Sequence, residues 1–281
     1  MITTIIATSQ NRTDWLIERS LKSVYQQQNI ETTNVSIIVV DDNQNTDEIN
    51  NIIAKVNLLR ERLKIKSNEF CTQIIQNVRT KFMSGTGAWN TGIWEAYKKY
   101  PNCFVSILDD DDEYLPNHLA DCCCQIDDNT IAVFQWLYWK NDDNSEMYLP
   151  FSNNELVAEN FFIGNPGIQG SNMFFKTKYL IDINGFDENL PNTTDRDLMI
   201  RFLWYFEKLR EIKKINIKVI EKIGIVHYNH KKQKVNNNFE KKRWGLDLFY
   251  QKYKNEFSEE AYQKSLIRAR NFFKYLPPEQ R

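Results

Sequence analysis

SILDDDDEYLPNHL, residues Ser106 to Leu119, runs from a short apolar segment straight into four consecutive aspartates, Asp109 to Asp112. Phe104 to Leu108 reads as a buried strand, so the acidic cluster sits where that strand ends. Four neighbouring carboxylates repel one another unless a cation or a donor-rich ligand shares the site. In an extended backbone Asp109 and Asp111 point the same way and can face one ion. Hard carboxylate oxygens suit Mg²⁺ or Mn²⁺, which in turn bind phosphate oxygens. The other reading is a solvated acidic turn with a helix cap before Pro116. The fold around the cluster favours one of the two.

Outward from this stretch, the first half alternates strand and helix signals. Thr3 to Ala7 is β-branched and apolar, and Val35 to Val40 (VSIIVV) lacks polar alternation, as in a parallel strand covered on both faces. A third strand is expected near Thr72 to Gln76. Between them lie helical periods: Leu16, Ile17, Leu21 and Val24 after a cap at Thr13 or Asp14, then about 47–63, then about 87–100. Such a βαβαβαβ order predicts right-handed crossovers and a mainly parallel, Rossmann-like sheet. Ligands in these sheets bind beyond the carboxyl ends of the strands, which singles out Thr8 to Arg12, Asp41 to Asn43, and Asp109 to Asp112. That placement favours metal for the acidic cluster.

After about residue 130 the pattern changes. Ile131 to Trp139 and Glu146 to Leu149 flank NDDNS as a hairpin, and Asn172 to Lys176 is a further short strand. Asp195 opens an amphipathic helix. Ile217 to Ile220 and Ile223 to Val226 read as two short strands. Asn236 to Asn238 reads as a linker, and two helices follow, the second capped by Ser258. The expected organisation is an α/β domain over residues 1–235 with a mixed sheet, and a C-terminal helical extension over 236–281.

Composition removes several function classes. Among 281 residues, Lys+Arg is 36 and Asp+Glu is 37, a net charge of −1 that gives no general attraction to nucleic acid. No apolar run approaches the roughly 20 residues that span a bilayer, and MITTIIATSQNR lacks the basic start of a secretory signal. The five cysteines form no CxxC pair, and adjacent Cys122, Cys123 and Cys124 cannot converge on one metal. They read as buried or half-buried thiols in a reducing compartment.

Taken in order, several segments resemble family 2 glycosyltransferases of the GT-A fold. These are the strand ending in Thr-x-x-Asn-Arg with Leu21 to Gln27, VVDDN at Val39 to Asn43, and the Asn90 helix. The DxD-type LDDDD with Pro116 follows, and then NGFDENLPNTTDRDLMIRF at Asn184 to Phe202. The resemblance spans roughly residues 3–230. It implies a GT-A, Rossmann-like mixed, mainly parallel sheet flanked by helices. It also implies a metal-dependent, inverting transferase that moves a sugar from a UDP- or GDP-sugar to a hydroxyl of a glycan, lipid-linked or other acceptor, with Mn²⁺ or Mg²⁺.

By position in that family, Thr8 and Asp42 contact the base, and Arg12 is structural or reaches the phosphates. Arg79 is the basic residue near the nucleotide. Asp109 lies by the ribose or the metal, Asp110 contacts ribose or sugar, and Asp111 is the direct metal ligand. The general base falls at Asp195, with Asp197 the alternative; Thr194 stands where the family has glutamate. His227 is a metal or phosphate ligand, with His230 in the same segment, and 230–234 (HKKQK) is a diphosphate-covering loop or a solvated surface. Gly164 to Ser171 resembles the loop beneath donor sugar and acceptor. The setting implied is surface polysaccharide assembly in the cytoplasm, with peripheral contact at the inner face of the membrane and homo-oligomerisation both left open. Two rivals remain: a nucleotidyltransferase, whose Gly-rich signature ATSQNR lacks, and a catalytically silent nucleotide- or carbohydrate-binding module, for which Thr194 speaks.

Overall fold

The computed structural model describes residues 1–9, 11–43, 46–80, 84–143, 145–229 and 239–280. Strands β1 (Ile2–Thr8), β2 (Val35–Asp41), β3 (Cys71–Gln76) and β4 (Phe104–Asp109) pair in parallel in the order β3-β2-β1-β4. Their crossovers are α1 (residues 13–25), α2 (Thr46–Arg62) and α3 (Thr86–Lys99). Every residue of β2 is buried, which is what its unbroken apolar run requires of a central strand. Within α1 the stretch Leu16–Leu21 is π-helical, and Leu16, Leu21 and Val24 are fully buried.

Beyond β4 come β5 (Glu113–Tyr114), α4 (His118–Cys124), β6 (Thr130–Asn141) and β7 (Glu146–Leu149). Next are α5 (Ala158–Ile163), β8 (Met173–Lys176), α6 (Thr177–Asp182), α7 (Thr194–Arg210) and β9 (Asn216–Asn229). The sheet continues β4-β8-β6-β9-β5, with β7 on β6. β8 is antiparallel to both β4 and β6, whereas β6 and β9 run parallel. The sheet is therefore mixed, and the hairpin β6–β7 forms as expected.

One sequence expectation is corrected here. Ile217 to Ile220 and Ile223 to Val226 are not two strands but parts of β9, which is continuous. Glu221 and Lys222 are exposed and interrupt the apolar pattern, yet pairing with β6 carries on through register shifts around Gln135 and Trp136. Gly224 is required there, because a Cβ at that position would lie 2.0 Å from Gln135 Oε1.

The core has two halves, one on each side of the sheet. The first gathers Ile6, Leu16, Leu21, Val39, Leu108 and Leu119 under α1, α2 and α4. The second gathers Ile5, Val40, Ile107, Phe175 and Phe202 with residues of the last two helices, α8 (Phe239–Lys252) and α9 (Glu259–Phe273). Leu246, Phe249 and Tyr253 of α8 and Ala261 and Ala269 of α9 are buried in that shared core. Apolar surface removed from water drives this packing. Ser258 caps α9 as its sequence suggests, accepting from Ala261 N at 3.1 Å.

All five cysteines are free; Cys103 and Cys122 are buried and Cys123 half-buried, whereas Cys71 and Cys124 are exposed, unlike the expectation for them. Among the described residues no helix is long and apolar enough to cross a membrane. The linker Asn236 to Asn238, the segment 230–234 and His230 lie outside the described residues.

Candidate active site

Parallel register brings the first functional groups to one edge. Thr8 is level with Asp41 across β1–β2, and Ala7 with Asp109 across β1–β4, so three strand ends open together. The Asp42 amide donates to Thr8 O at 2.8 Å, and the Asp42 side chain accepts from Asn77 Nδ2 at 2.6 Å. Here a cleft of about 570 Å³ opens, lined at its floor by Thr8, Arg12, Asp42, Asp109, Asp110 and Asp111.

β4 stops at Asp109 and the chain turns, with Asp112 N donating to Asp109 O at 3.2 Å. The turn replaces strand alternation with an i, i+3 closure. Ligand atoms of Asp109, Asp112 and His227 consequently lie within 4.8 Å of one another. Asp111, assigned as metal ligand by resemblance, lines the cleft with its Oδ2 on Arg12 Nη2 at 2.6 Å. Arg12 also holds Asp110 Oδ1 at 2.7 Å. Asp112 is the residue that sequence reasoning missed. Its signal was the turn that must precede Pro116, which an extended backbone through all four aspartates overlooks.

Asp112 is fully buried and well supplied with donors. Its Oδ2 is 2.6 Å from Ser171 Oγ and 2.8 Å from His227 Nδ1, and its Oδ1 accepts from Tyr228 N at 3.0 Å. Burial alone would raise its pKa; the His227 interaction and these hydrogen bonds outweigh it, and the pKa is lowered. The other three go the opposite way. Burial, then Asp112 and Asp111, pushes Asp109 well up; burial takes Asp110 to about 7 against the pull of Arg12; burial and Asp112 raise Asp111. The raised values record carboxylates that repel one another, with Arg12 as the ion-pair partner of Asp110 and Asp111.

Such a donor set fits a hard divalent cation. Carboxylate oxygens with one imidazole suit Mn²⁺ or Mg²⁺, and an imidazole oriented by a carboxylate on its other nitrogen is the usual support for a metal ligand. Trp139 packs on His227 with ring centroids 5.0 Å apart. Tyr228 continues the brace, its ring lying 4.1 Å from the Arg19 guanidinium carbon, while Arg19 Nη1 donates to Asp111 O at 3.3 Å.

The opposite wall comes from the second half of the chain. Thr193 has φ +66°, and α7 starts at Thr194, which sets the Asp195 carboxylate at the cleft. Asn192 anchors this turn by donating to Lys241 O at 2.6 Å. Asp195 Oδ1 is buried with no hydrogen-bond partner among the described residues. Burial raises the Asp195 pKa to about 6, with Lys242 and His227 pulling it back. Asp197 is placed otherwise: it is buried, with Oδ2 on Arg201 at 2.7 Å and Oδ1 accepting from Tyr253 OH at 2.7 Å and Lys252 Nζ at 2.5 Å. It joins α7 to α8 and does not line the cleft.

Arg79 is also outside the lining. Its Nε lies 2.5 Å from Glu188 Oε1, which also accepts from Asn90 Nδ2 at 2.8 Å. Asn90 further bonds the backbone of Phe186 on both sides, N–H to Oδ1 at 2.9 Å and C=O from Nδ2 at 2.9 Å. The Asn90 and GFDENL segments are therefore one buried brace. Gly185 is obligatory in it, since φ is +60° and a Cβ would sit 2.3 Å from Asn90 Oδ1. Asn165 and Gln169 of the 164–171 loop reach the cleft, while its Ser171 supports Asp112. His118 sits away from it, buried with Nδ1 on Gln135 Oε1 at 2.7 Å.

Residues 4–183 match the sequence model of glycosyl transferase family 2. The chain belongs to that family. Solved structures similar to this family 2 glycosyltransferase include TarS 1-349 of S. aureus in complex with UDP, at 17% identity and a TM-score of 0.61, covering 96% of this chain and 72% of that one. Another is the mannosyltransferase PcManGT of Pyrobaculum calidifontis in complex with GDP-Man and Mn²⁺, at 16% identity and a TM-score of 0.58, covering 95% and 68%. At such identities the likeness is one of fold, and that fold is GT-A. No curated protein matches the chain in sequence.

Proposed function

We propose that this family 2 enzyme is a metal-dependent, inverting glycosyltransferase using a nucleoside-diphosphate sugar, with residues 1–235 as its catalytic domain. The observation that carries the reading is one cleft with Asp109 and Asp111 on its floor and Asp195, its buried Oδ1 unpartnered, on the facing wall. Inversion by direct displacement needs a base on the sugar face opposite the diphosphate, and Asp195 is the carboxylate we assign to that place. Asp42 and Thr8 receive the nucleoside, and Asp110 the ribose or sugar. Asp109, Asp112 and His227 would hold Mn²⁺ or Mg²⁺, with Asp111 beside them; a bound divalent ion stabilises the charge that develops on the diphosphate.

Asp195 takes the proton of the acceptor hydroxyl as the oxygen bonds to the anomeric carbon, and the electron pair of the broken C–O bond leaves with the nucleoside diphosphate. A base whose pKa is near 6 is ionised at neutral pH yet basic enough to accept that proton. Uridine and guanosine donors are the first choices, since one similar structure holds UDP and the other GDP-Man with Mn²⁺. Glycan or surface polysaccharide synthesis, in the cytoplasm or at its membrane face, is the setting we infer.

The test is thermal unfolding with UDP, GDP, CDP or TDP, each with Mn²⁺, Mg²⁺ or EDTA, followed by donor turnover with the best nucleotide. A ligand at about 100 times its Kd stabilises by roughly 2.7 kcal/mol. Metal-dependent stabilisation by one nucleotide and turnover of its sugar ester are expected. Binding without turnover would make the chain a silent module, and no response to any nucleotide would remove the donor site.

A further inference from the structure

The wall around Asp195 is basic. Asp195, Arg196, Lys241, Lys242, Arg268 and Phe273 line that side of the cleft, and all six lie beyond the residues 4–183 that match the family. Arg196 is immobile: it donates through Nε to Phe161 O at 2.7 Å and through Nη2 to Phe162 O, with Phe249 packed 4.3 Å from its guanidinium carbon. Lys242 Nζ sits 4.6 Å from the Phe273 ring centroid. Arg268 rests on Phe272 at 5.0 Å and against Gly164, where a Cβ would come within 2.5 Å of its Nε.

These cations crowd one another. Burial, then Arg196 and Arg268, brings the Lys242 pKa down to about 8, while burial brings Arg196 to about 10. Asp195 and Lys242 line the same cleft, and the Asp195 carboxylate pulls the Lys242 pKa back up. Among the described residues lining this side of the cleft, Arg196, Lys242 and Arg268 meet one carboxylate, Asp195, and desolvated positive charge in excess is costly. During the transfer that carboxylate takes a proton and loses its charge, so the imbalance grows at the moment of reaction. An anion on the incoming acceptor would correct both states.

Resting on the glycosyltransferase reading above, we propose that the acceptor is anionic and carries a phosphate or carboxylate close to the hydroxyl that is glycosylated, held by Lys242 and Arg268 beside Asp195. The floor of the cleft would hold the donor diphosphate through the divalent ion proposed for its acidic cluster. Lys242 neighbours the base instead, which assigns this basic wall to the acceptor.

The test is calorimetric titration of the wild-type protein saturated with its nucleotide and Mn²⁺. The probes are glycerol 3-phosphate and methyl glucuronide, with glycerol and methyl glucoside as their neutral counterparts. An acidic probe should bind at least about tenfold more tightly than its counterpart, and Lys242→Gln or Arg268→Gln should each remove most of that preference. The two acidic probes separate phosphate from carboxylate. Equal binding of acidic and neutral probes overturns the proposal. So does a Lys242→Gln variant that weakens nucleotide binding while keeping the preference, because the wall would then serve the donor. If no nucleotide binds the wild type, the donor reading fails on its own, and the same titrations without nucleotide still judge the basic wall.

Discussion

The two walls of the cleft are built by different rules. The floor is three parallel strand ends and one turn, and its charges are cross-braced: Arg12 spans Asp110 and Asp111, while Asp112 carries His227, Ser171 and Tyr228. The facing wall is a helix start backed by the C-terminal helices, and its key carboxylate has a buried oxygen with no partner. A group held rigid by many bonds supports others, whereas a buried carboxylate oxygen left unpartnered among the described residues has its pKa raised and is available to take a proton. Asp112 and Asp195 are the two cases, and removing each should have opposite consequences for stability.

The largest effect is expected on activity at Asp195. Asp195→Asn should lower sugar transfer about 10²–10⁴-fold, as the loss of a general base does, with nucleotide-induced stabilisation retained. Wild-type kcat/KM should rise with pH through an apparent pKa near 6, because Asp195 is protonated and inactive below it. Its folded pKa is raised, so its ionisation opposes folding at neutral pH, a cost that fades as pH falls through about 6. Asp195→Asn should therefore melt higher than wild type at pH 7.5, and the gap should narrow below about pH 6 and close only near the ordinary aspartate value, about pH 4. An active variant would move the base elsewhere, and since Asp197 is spent on Arg201, Tyr253 and Lys252, the direct-displacement reading would go with it.

Asp112→Asn breaks the comparison from the other side. It replaces a buried carboxylate that faces only donors with an amide, one end of which cannot accept. Leaving a buried hydrogen-bonding group unsatisfied costs roughly 1–3 kcal/mol, read as a fall in denaturant midpoint at pH 7. The lowered Asp112 pKa means that its contribution is present above the ordinary carboxylate range and is lost as pH falls through the depressed value. Metal-dependent nucleotide binding should weaken in parallel, because His227 loses the partner on its Nδ1. Unchanged stability would show that the floor is not braced through this residue.

Strand ends were legible in the sequence because unbroken apolar runs such as VSIIVV report burial on both faces. Asp42 and Asp109 stand at or just past strand ends and were placed for the same reason, whereas the roles given to Asp111 and Asp195 came from the family resemblance. Asp112 was hidden because a turn, not a strand, sets its direction, and the turn depends on how β5 pairs with β9. Arg79 pairs with Glu188, 109 residues away, a contact that no local sequence pattern reports. Lys242 carried no signal at all. In a run of Lys241, Lys242 and Arg243 it looks like a solvated helix face, and only the packing of α8 against α7 turns it toward Asp195.

The smallest effect tests whether the facing wall depends on the stability of the helices behind it. Ser258 caps α9, where substitution of a capping serine by alanine costs about 1 kcal/mol. Arg268 lies within this helix, some way from its first turn, and Tyr250 OH and Ser265 Oγ, 2.9 Å apart, join α8 to α9. If the C-terminal helices fold with the rest, as their shared core implies, Ser258→Ala should lower the single unfolding transition slightly and leave the acceptor preference intact. A second, lower transition in calorimetry, together with loss of the preference for acidic probes, would instead show a wall that can open while the acidic floor stays folded. The two halves of the cleft would then differ in cooperativity as well as in charge.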